Sequence, residues 1–524
     1  MKRSLWPFWA LVLLAFLVFG QTMVFELVWD DRTIHILQNP FLNGPGNLAQ
    51  IWTQTYRGLY IPMAYTTWAG LKAMANVTSL QEAGVYHFTN VVLHSFNGIL
   101  VYRILQTRLN SLPALVGACL FLVHPIQVEA VAWVSELRGL LAAFFGLAAL
   151  FMNIRGRLFW PFVLFTLALL CKPSAIVVLP FVVLFRGLSF RVMTSLLPWL
   201  VAALPIIWIN TQVQGQHIDS PWLYRPLIWA DAFLFYCGKI CWPTALTPSY
   251  GLAPEVVMQS GGSLPLLPLA VALVIVVWLH RKKRPDLLLG CLVFVAGFLP
   301  TSGLIPFTFQ EWSTVADRYL YLSMLGPALI WGCLTQLKPW LAWALMPLTV
   351  LCLVQVPLWE NEITLWGHCV KTTPKEARVY NNLGVAWRRQ GDSEKALTLF
   401  NQAIAFDSSF GEFHCNRAAA LMDFGQYDQA LGALNKSIKL QPWNEAAFIN
   451  RGITQASRGD LHAALADFNQ AIYLAPQSKI YNYRALIYFD LGKPVLAEQD
   501  IKKIFELGGS LLPQVRNQWK GEEP

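Results

Sequence analysis

Charge is what this sequence has least of. Asp, Glu, Lys and Arg make up 13% of its 524 residues, against roughly 25% in ordinary soluble domains. A chain this poor in solvated groups cannot cover a conventional water-exposed surface along its whole length. Metal and disulfide patterns are missing too. The nine cysteines fall mostly inside apolar runs (Cys119, Cys171, Cys291, Cys333, Cys352), no CxxC occurs, and no Cys/His spacing fits zinc. Core packing suits most of them; Cys369 and Cys415 stand in the tail, where sequence does not pair them. The tail also lacks a basic stripe. Residues 359–524 hold 18 Lys and Arg against 18 Asp and Glu, so nucleic acid has no support as a partner.

What is present is hydrophobic length. The composition is 55% hydrophobic, and several stretches approach or exceed the roughly 18 apolar residues of a spanning helix. The class is a multi-spanning membrane protein. The whole surplus of positive charge lies in residues 1–358, with 21 Lys and Arg against 12 Asp and Glu, as a positive-inside bias of membrane loops would produce. Candidate spans lie near 5–25, 86–106, 110–123, 127–150, 158–171, 174–186, 195–212, 264–280, 286–303, 315–335 and 340–357. Basic residues fall in alternate connections (Lys2 and Arg3, Arg103 and Arg108, Arg155 and Arg157, Arg186 and Arg191, RKKR at 281–284, Lys338) and place those on the cytoplasmic side. The apolar segment 226–242 includes Asp231 and Lys239 and reads as interfacial or re-entrant. Eleven spans then put the N-terminus inside and the tail outside. The first apolar run is longer than a signal-peptide core and no small-x-small site follows it, so it reads as a retained anchor.

From about Ala377 the pattern changes. Gly391, Gly425 and Gly459 recur every 34 residues and Gly492 follows after 33; Ala396, Ala430, Ala464 and Ala497 keep the same spacing. The unit YNNLGVAWRRQGDSEKALTLFNQAIAFD (380–407) reads as two short helices joined at a glycine. It resembles the tetratricopeptide repeat, in which stacked helix pairs bury their apolar faces against neighbours and leave a concave groove. The expected layout is a membrane domain at 1–358, a linker at 359–376, four repeats near 377–410, 411–444, 445–477 and 478–511, and a tail at 512–524. A peptide-binding groove is the functional reading of the repeats; a stabilising or oligomerising appendage is the plain one.

Three polar constellations stand near the predicted membrane surface. Asp30 and Asp31 follow the first span within about one and a half turns, with Arg32, His35 and Asn39 in reach along the loop. In HPIQVEAVAWVSELRG (124–139), His124 ends one span while Glu129, Glu136 and Arg138 enter the next. In ADRYLYLSMLG (316–326), Asp317 and Arg318 stand at a span entrance, and Lys172 in CKPSA joins them on the same predicted face. Plain readings accompany each: a membrane boundary for the two aspartates, a buried ion pair for Glu129 and Arg138, a helix cap for His124, interfacial snorkelling for Asp317 and Arg318. Glu129 and Arg138 are two and a half turns apart and face opposite ways on one ideal helix.

By the charge count all three groups converge on the non-cytoplasmic face. Acids and bases gathered there suit transfer from a lipid-borne phosphate sugar to an aqueous hydroxyl. The phosphate leaves without needing a proton, so one carboxylate suffices as general base. Arg, Lys or His would stabilise the charge growing on the phosphate.

The run WDD…NP, HPIQVEAVAW, KPSAIVVLP and DRYLYL, followed by the repeats, resembles the transmembrane and tetratricopeptide-repeat proteins along nearly the whole chain. These are glycosyltransferases of the GT-C type. The resemblance implies an all-α fold, a polytopic helical membrane domain of about 11 helices followed by a repeat solenoid. It implies an inverting transferase using a polyprenyl-phosphate sugar, mannose in eukaryotic members, with Ser or Thr of extracytoplasmic proteins as acceptor. Asp30 or Asp31 then stands at the base position, with Asp30 favoured. His124, Arg138, Lys172, Asp317 and Arg318 stand as phosphate or sugar contacts, and Arg32, His35, Asn39 and Glu129 as further candidates. No cofactor is required; a divalent ion is compatible with the carboxylates but not indicated. Gly139 stands where relatives often carry an acid before Leu140 and Leu141, which weakens the transfer of a donor contact to Arg138. The short repeat array points to a bacterial inner membrane with periplasmic repeats, or to lumenal repeats in the endoplasmic reticulum if the source is eukaryotic. A non-enzymatic repeat scaffold for envelope proteins and a polyprenyl-lipid transporter are the rival readings.

Overall fold

A computed structural model describes the chain apart from residues 1–4, 38, 43–47, 79–80, 214–221, 261–267, 269–270, 273–274, 276–277, 279–281, 305–307, 520 and 522–524. The fold is all-α: among the described residues no strand forms, and one isolated bridge joins Tyr56 and Leu59. The chain divides into two compact units, Met1–Thr372 and Thr373–Pro524.

Among the described residues of the first unit, four helical stretches are long and apolar enough to cross a bilayer: Trp6–Val24, Val134–Ile154, Phe190–Val213 and Pro339–Trp359. Ser111–Val123 and Pro125–Ala132, bent by 52°, supply a fifth if they act as one span. Shorter apolar helices lie at Phe159–Cys171, Pro173–Arg186, Pro285–Thr301 and Leu325–Leu337. The expected span at 264–280 lies mostly outside the described residues. Trp9, Leu13 and Leu17 form an exposed apolar face on the first stretch, and Trp343, Met346 and Val350 do so on the last, as lipid-facing helices require. Small residues set the closest internal approach. A Cβ on Gly326 would stand 2.4 Å from the Gly290 carbonyl oxygen, so the helices carrying them meet backbone to backbone.

The stretch 111–154 is not a pair of simple helices. We label α1 as Glu82–Leu105, α2 as Ser111–Val123 and α3 as Leu137–Ile154. Between α2 and α3 the backbone breaks twice, at His124 (ψ 127°) and at Trp133 (ψ 119°). Pro125 explains the first break, because a residue before proline is pushed out of the helical region. Each break leaves carbonyls without a helical partner, which is costly away from water. α1 supplies donors to this region from one stripe at i, i+4 and i+7, replacing the lost partner at Leu122 and Val131 and adding a second bond at Trp133 and at Leu140 inside α3. Asn90 Nδ2 donates to the carbonyls of Val131 (3.1 Å) and Trp133 (3.2 Å), His94 Nε2 to Leu122 (3.0 Å) and Asn97 Nδ2 to Leu140 (3.1 Å). The Tyr321 hydroxyl then donates to His94 Nδ1 at 2.7 Å. This polar stripe in an otherwise apolar helix holds a broken segment whose turns carry Glu129, Ser135, Glu136 and Arg138.

The segment expected as a linker folds in part as a helix, Glu362–Thr372, inside the first unit. Glu362 accepts the Trp29 N–H at 3.2 Å, which ties the end of this unit to the loop after the first span.

The second unit is a stack of helix pairs: Ala377–Arg389 with Ser393–Phe406, Gly411–Asp423 with Tyr427–Leu440, Glu445–Ser457 with Leu461–Leu474, and Ser478–Asp490 with Pro494–Glu506. Gly391, Gly425, Gly459 and Gly492 join the helices of each pair with φ between 69° and 88°, the left-handed region that glycine enters without a Cβ penalty. Ala396, Ala430, Ala464 and Ala497 are wholly buried. Arg451 with Asp467 and Arg484 with Asp500 form forked ion pairs within their repeats.

Candidate active site

The loop after the first span is held in an unusual shape. Trp29 has φ 54°, a left-handed conformation that costs a bulky residue of order 1 kcal/mol or more and persists only where surroundings enforce it. They do so here. The indole stacks on Trp133 at 4.6 Å and meets the edge of Trp366 at 5.4 Å, and the Trp29 backbone N–H is bound by Glu362. The next two residues are the aspartates.

These two acids differ. Asp31 is fully buried. Its Oδ1 accepts the Ser135 N–H at 2.7 Å and the Ser135 hydroxyl, and its Oδ2 accepts the Val28 N–H at 3.3 Å. Burial holds the carboxyl up at about 7, against the pull of these hydrogen bonds. Asp31 therefore ties the first loop to the break before α3. Asp30 is half-buried.

The same loop delivers His35. Its imidazole is buried against Trp68 (5.7 Å, near-parallel rings), and its Nε2 lies 3.4 Å from Arg138 Nη1. Burial, then the Arg138 charge, keep its pKa well below the usual histidine range, so the ring is neutral. Because a guanidinium only donates, Nε2 accepts and the ring proton sits on Nδ1. Arg138 Nε reaches Glu136 at 3.4 Å, and Lys172 Nζ reaches both Glu136 oxygens at 3.0 and 2.7 Å. One buried carboxylate thus serves two cations. Gly139 makes room for it: a Cβ there would stand 2.3 Å from Glu136 Oε2. The departure noted in the sequence has a physical counterpart, since Glu136 fills the space a side chain at 139 would take.

Arg318 belongs to a second buried ion pair. Its guanidinium pairs with Glu129, whose second oxygen accepts the Arg318 backbone N–H at 3.0 Å. It also lies over Phe309 (4.2 Å), Tyr319 (5.0 Å), Trp133 (5.3 Å) and Trp29 (5.6 Å), a cation–π enclosure. Asp317 accepts the Tyr250 hydroxyl at 2.8 Å. Both residues are buried rather than snorkelling. Glu129 and Arg138 pair with separate partners, Arg318 and Glu136, because the break at Trp133 divides them.

The first loop, the 129–138 segment, Lys172 and 317–318 therefore meet. Three candidates lie apart from that meeting. His124 uses Nδ1 to cap the Ile126 N–H (3.3 Å) and Nε2 to bind the Ile240 carbonyl (3.1 Å). Asn39 braces its own turn through the His35 carbonyl and the Phe41 N–H. Arg32 makes an exposed pair with Glu26 at 3.4 Å, worth little in water. Sequence reasoning passed over Trp29, Ser135, Tyr65 and Trp68. Ser135 carries no signal without its partner.

Tetratricopeptide-repeat models match residues 377–410 and 415–479. Over the longer chain, the protein O-mannosyl-transferase F38B6.6 of Caenorhabditis elegans is 24% identical across 431 residues, covering 74% of this chain and 60% of that protein. The protein O-mannosyl-transferase TMTC3 of Mus musculus is 23% identical across 510 residues, covering 80% and 54%. The chain spans between about half and two thirds of the length of the curated relatives it matches. Among solved structures, the crystal structure of MamA aligns with 28% of this chain and 86% of its own at 20% identity, with a TM-score of 0.26.

Proposed function

We infer that this chain, a relative of the transmembrane and tetratricopeptide-repeat proteins through both its units, is a membrane glycosyltransferase that moves a sugar from a polyprenyl phosphate to a protein hydroxyl. The observation carrying this reading is the division of labour between adjacent aspartates. Asp31 is spent on three hydrogen bonds that fix the loop, while Asp30 is half-buried on the same loop whose His35 touches Arg138.

In the reaction we propose, Asp30 takes the proton from the acceptor hydroxyl as that oxygen attacks the anomeric carbon from the face opposite the phosphate. The bond from carbon to phosphate oxygen breaks, and the electron pair leaves with the polyprenyl phosphate. Inversion follows from the single displacement. Arg138 and Lys172 oppose the charge that grows on the leaving phosphate, and no divalent ion is called on. Asp31 is a positioning residue. Arg318, neutralised by Glu129, is less suited to hold phosphate than Arg138. The repeats would hold the protein acceptor. Their first two pairs line a cavity of ≈ 550 Å³ that includes Arg388, Asn416, Phe400 and Asp423. The rivals, scaffold and transporter, need no base.

The test is purified Asp30→Asn in nanodiscs with polyprenyl-phosphate mannose and candidate extracytoplasmic proteins, with glycopeptides read by mass spectrometry. Loss of a general base lowers transfer about 10²- to 10⁴-fold with unchanged thermal unfolding. Transfer at the wild-type rate would remove Asp30 from the mechanism.

A further inference from the structure

Three buried polar atoms in one corner of the membrane unit have no hydrogen-bond partner among the described residues: His35 Nδ1, the Tyr65 hydroxyl and Trp68 Nε1. Native interiors leave few such groups unsatisfied, and each one asks for a reason. These three are neighbours. The Trp68 ring lies 5.7 Å from His35 and 5.7 Å from Tyr65, and their residues are exposed by 3% or less. Tyr65 and Trp68 lie on one helix, Pro62–Thr78, three residues apart and so on one face. Trp68 can only donate, and His35 must donate from Nδ1 because its Nε2 faces the Arg138 guanidinium. Beside them stands a charge imbalance. Glu136 is the single carboxylate bridging Lys172 and Arg138, which leaves one positive charge over in that trio.

A cluster of unused neutral donors beside one surplus cation describes a ligand rich in acceptor oxygens and carrying one negative charge. A sugar phosphodiester is such a ligand; a diphosphate carries more charge than the trio offsets. We propose that His35, Tyr65 and Trp68 are the neutral donors of the donor-lipid subsite, bonding the sugar hydroxyls or non-bridging phosphate oxygens while Arg138 meets the charge. Phe41 and Tyr56, packed against Tyr65 at 6.2 and 6.3 Å, extend the apolar wall against which a sugar ring would lie. The proposal rests on the glycosyltransferase reading above and names residues of its donor site.

Tyr65→Phe in the full chain tests it, because the substitution removes only the hydroxyl. The probes are undecaprenyl-phosphate mannose, dolichyl-phosphate mannose and sugar-free undecaprenyl phosphate, each titrated in nanodiscs. A hydrogen bond to the donor predicts about tenfold weaker binding or more, a rise in KM larger than any fall in kcat, and a ligand-free melting temperature that is unchanged or higher. Equal weakening for the sugar-free lipid puts the hydroxyl on the phosphate; weakening confined to the mannosylated lipids puts it on the sugar. Binding within twofold of wild type, or a lower ligand-free melting temperature, overturns the proposal, the latter because it would reveal a structural partner. If the wild-type protein binds none of the three lipids, the glycosyltransferase reading itself fails and takes this subsite with it.

Discussion

Replacing Glu136 by Gln should be among the most damaging single changes in the membrane unit. The Glu136 side chain is 1% exposed and pairs with both Lys172 (19%) and Arg138 (15%). Removing one partner of a buried ion pair costs about 3–5 kcal/mol, because the charge left behind remains desolvated. Here two like charges remain, which argues for a large effect, but the partial exposure of Lys172 lets water recover some of it. We expect about 3 kcal/mol. Lys172→Met should cost less, about 2 kcal/mol, since Glu136 keeps Arg138 at 3.4 Å. The double variant Glu136→Gln/Lys172→Met removes the pair together and should cost about 2 kcal/mol, because removing both charges of a buried pair costs far less than removing one, while Arg138 is left without its carboxylate. The cycle then gives a coupling of about 3 kcal/mol. Thermal unfolding in detergent, followed by tryptophan fluorescence, would show Glu136→Gln about 6 °C below wild type at roughly 2 °C per kcal/mol, with the double variant partly restored. A drop under about 2 °C, or single effects that add, would refute the idea that this carboxylate holds the two cations in place.

Two further outcomes follow from particular contacts. Burial raises the Asp31 carboxyl from 3.8 to about 7, so the folded protein keeps its proton where the unfolded chain has lost it. Asp31's contribution to stability therefore declines as pH rises from about 4 to 7 and is level above that. His35, held neutral, acts in the other sense and lowers stability as pH falls through the usual histidine range. Because Asp31→Asn retains His35, the variant-minus-wild-type difference in unfolding free energy isolates the acid. It should move toward the variant between pH 4 and 7, and a flat difference would contradict the assignment. Asn90→Leu removes the donor to the Val131 carbonyl and one of the two donors to the Trp133 carbonyl, which keeps the Glu136 N–H, and should cost about 1–3 kcal/mol for the orphaned Val131 group. Amide hydrogen exchange should then rise first around 128–138, and unchanged protection there would count against the role given to the stripe.

Periodic features were the legible ones. The 34-residue recurrence of glycine and alanine marked four helix pairs because every repeat solves the same turn and the same close packing, and the helices follow that reading. Asp30, Asp31, Glu129, Glu136, Arg138, Lys172 and Arg318 were noticeable because charge is conspicuous among apolar residues. Their pairing was not legible. Glu129 and Arg138 share one stretch of sequence, yet their partners are Arg318 and Glu136, and Lys172 joins Glu136 from 36 residues away. His124 stood out by its position at a helix end and proved to be bonded to backbone on both ring nitrogens.

By itself the sequence determined membrane class, helical repeats and the inventory of charges, since each is a property of composition or of spacing along one strand of chain. Only the tertiary structure decided which aspartate is consumed by Ser135, which carboxylate serves two cations, and which aromatic residues are left with unused donors. Those outcomes depend on where two backbone breaks and one left-handed tryptophan turn the chain. The partners that enforce them, Asn90, His94, Asn97 and Glu362, lie 28 to 333 residues away in sequence, and no local pattern encodes a hydrogen bond that closes across such a separation.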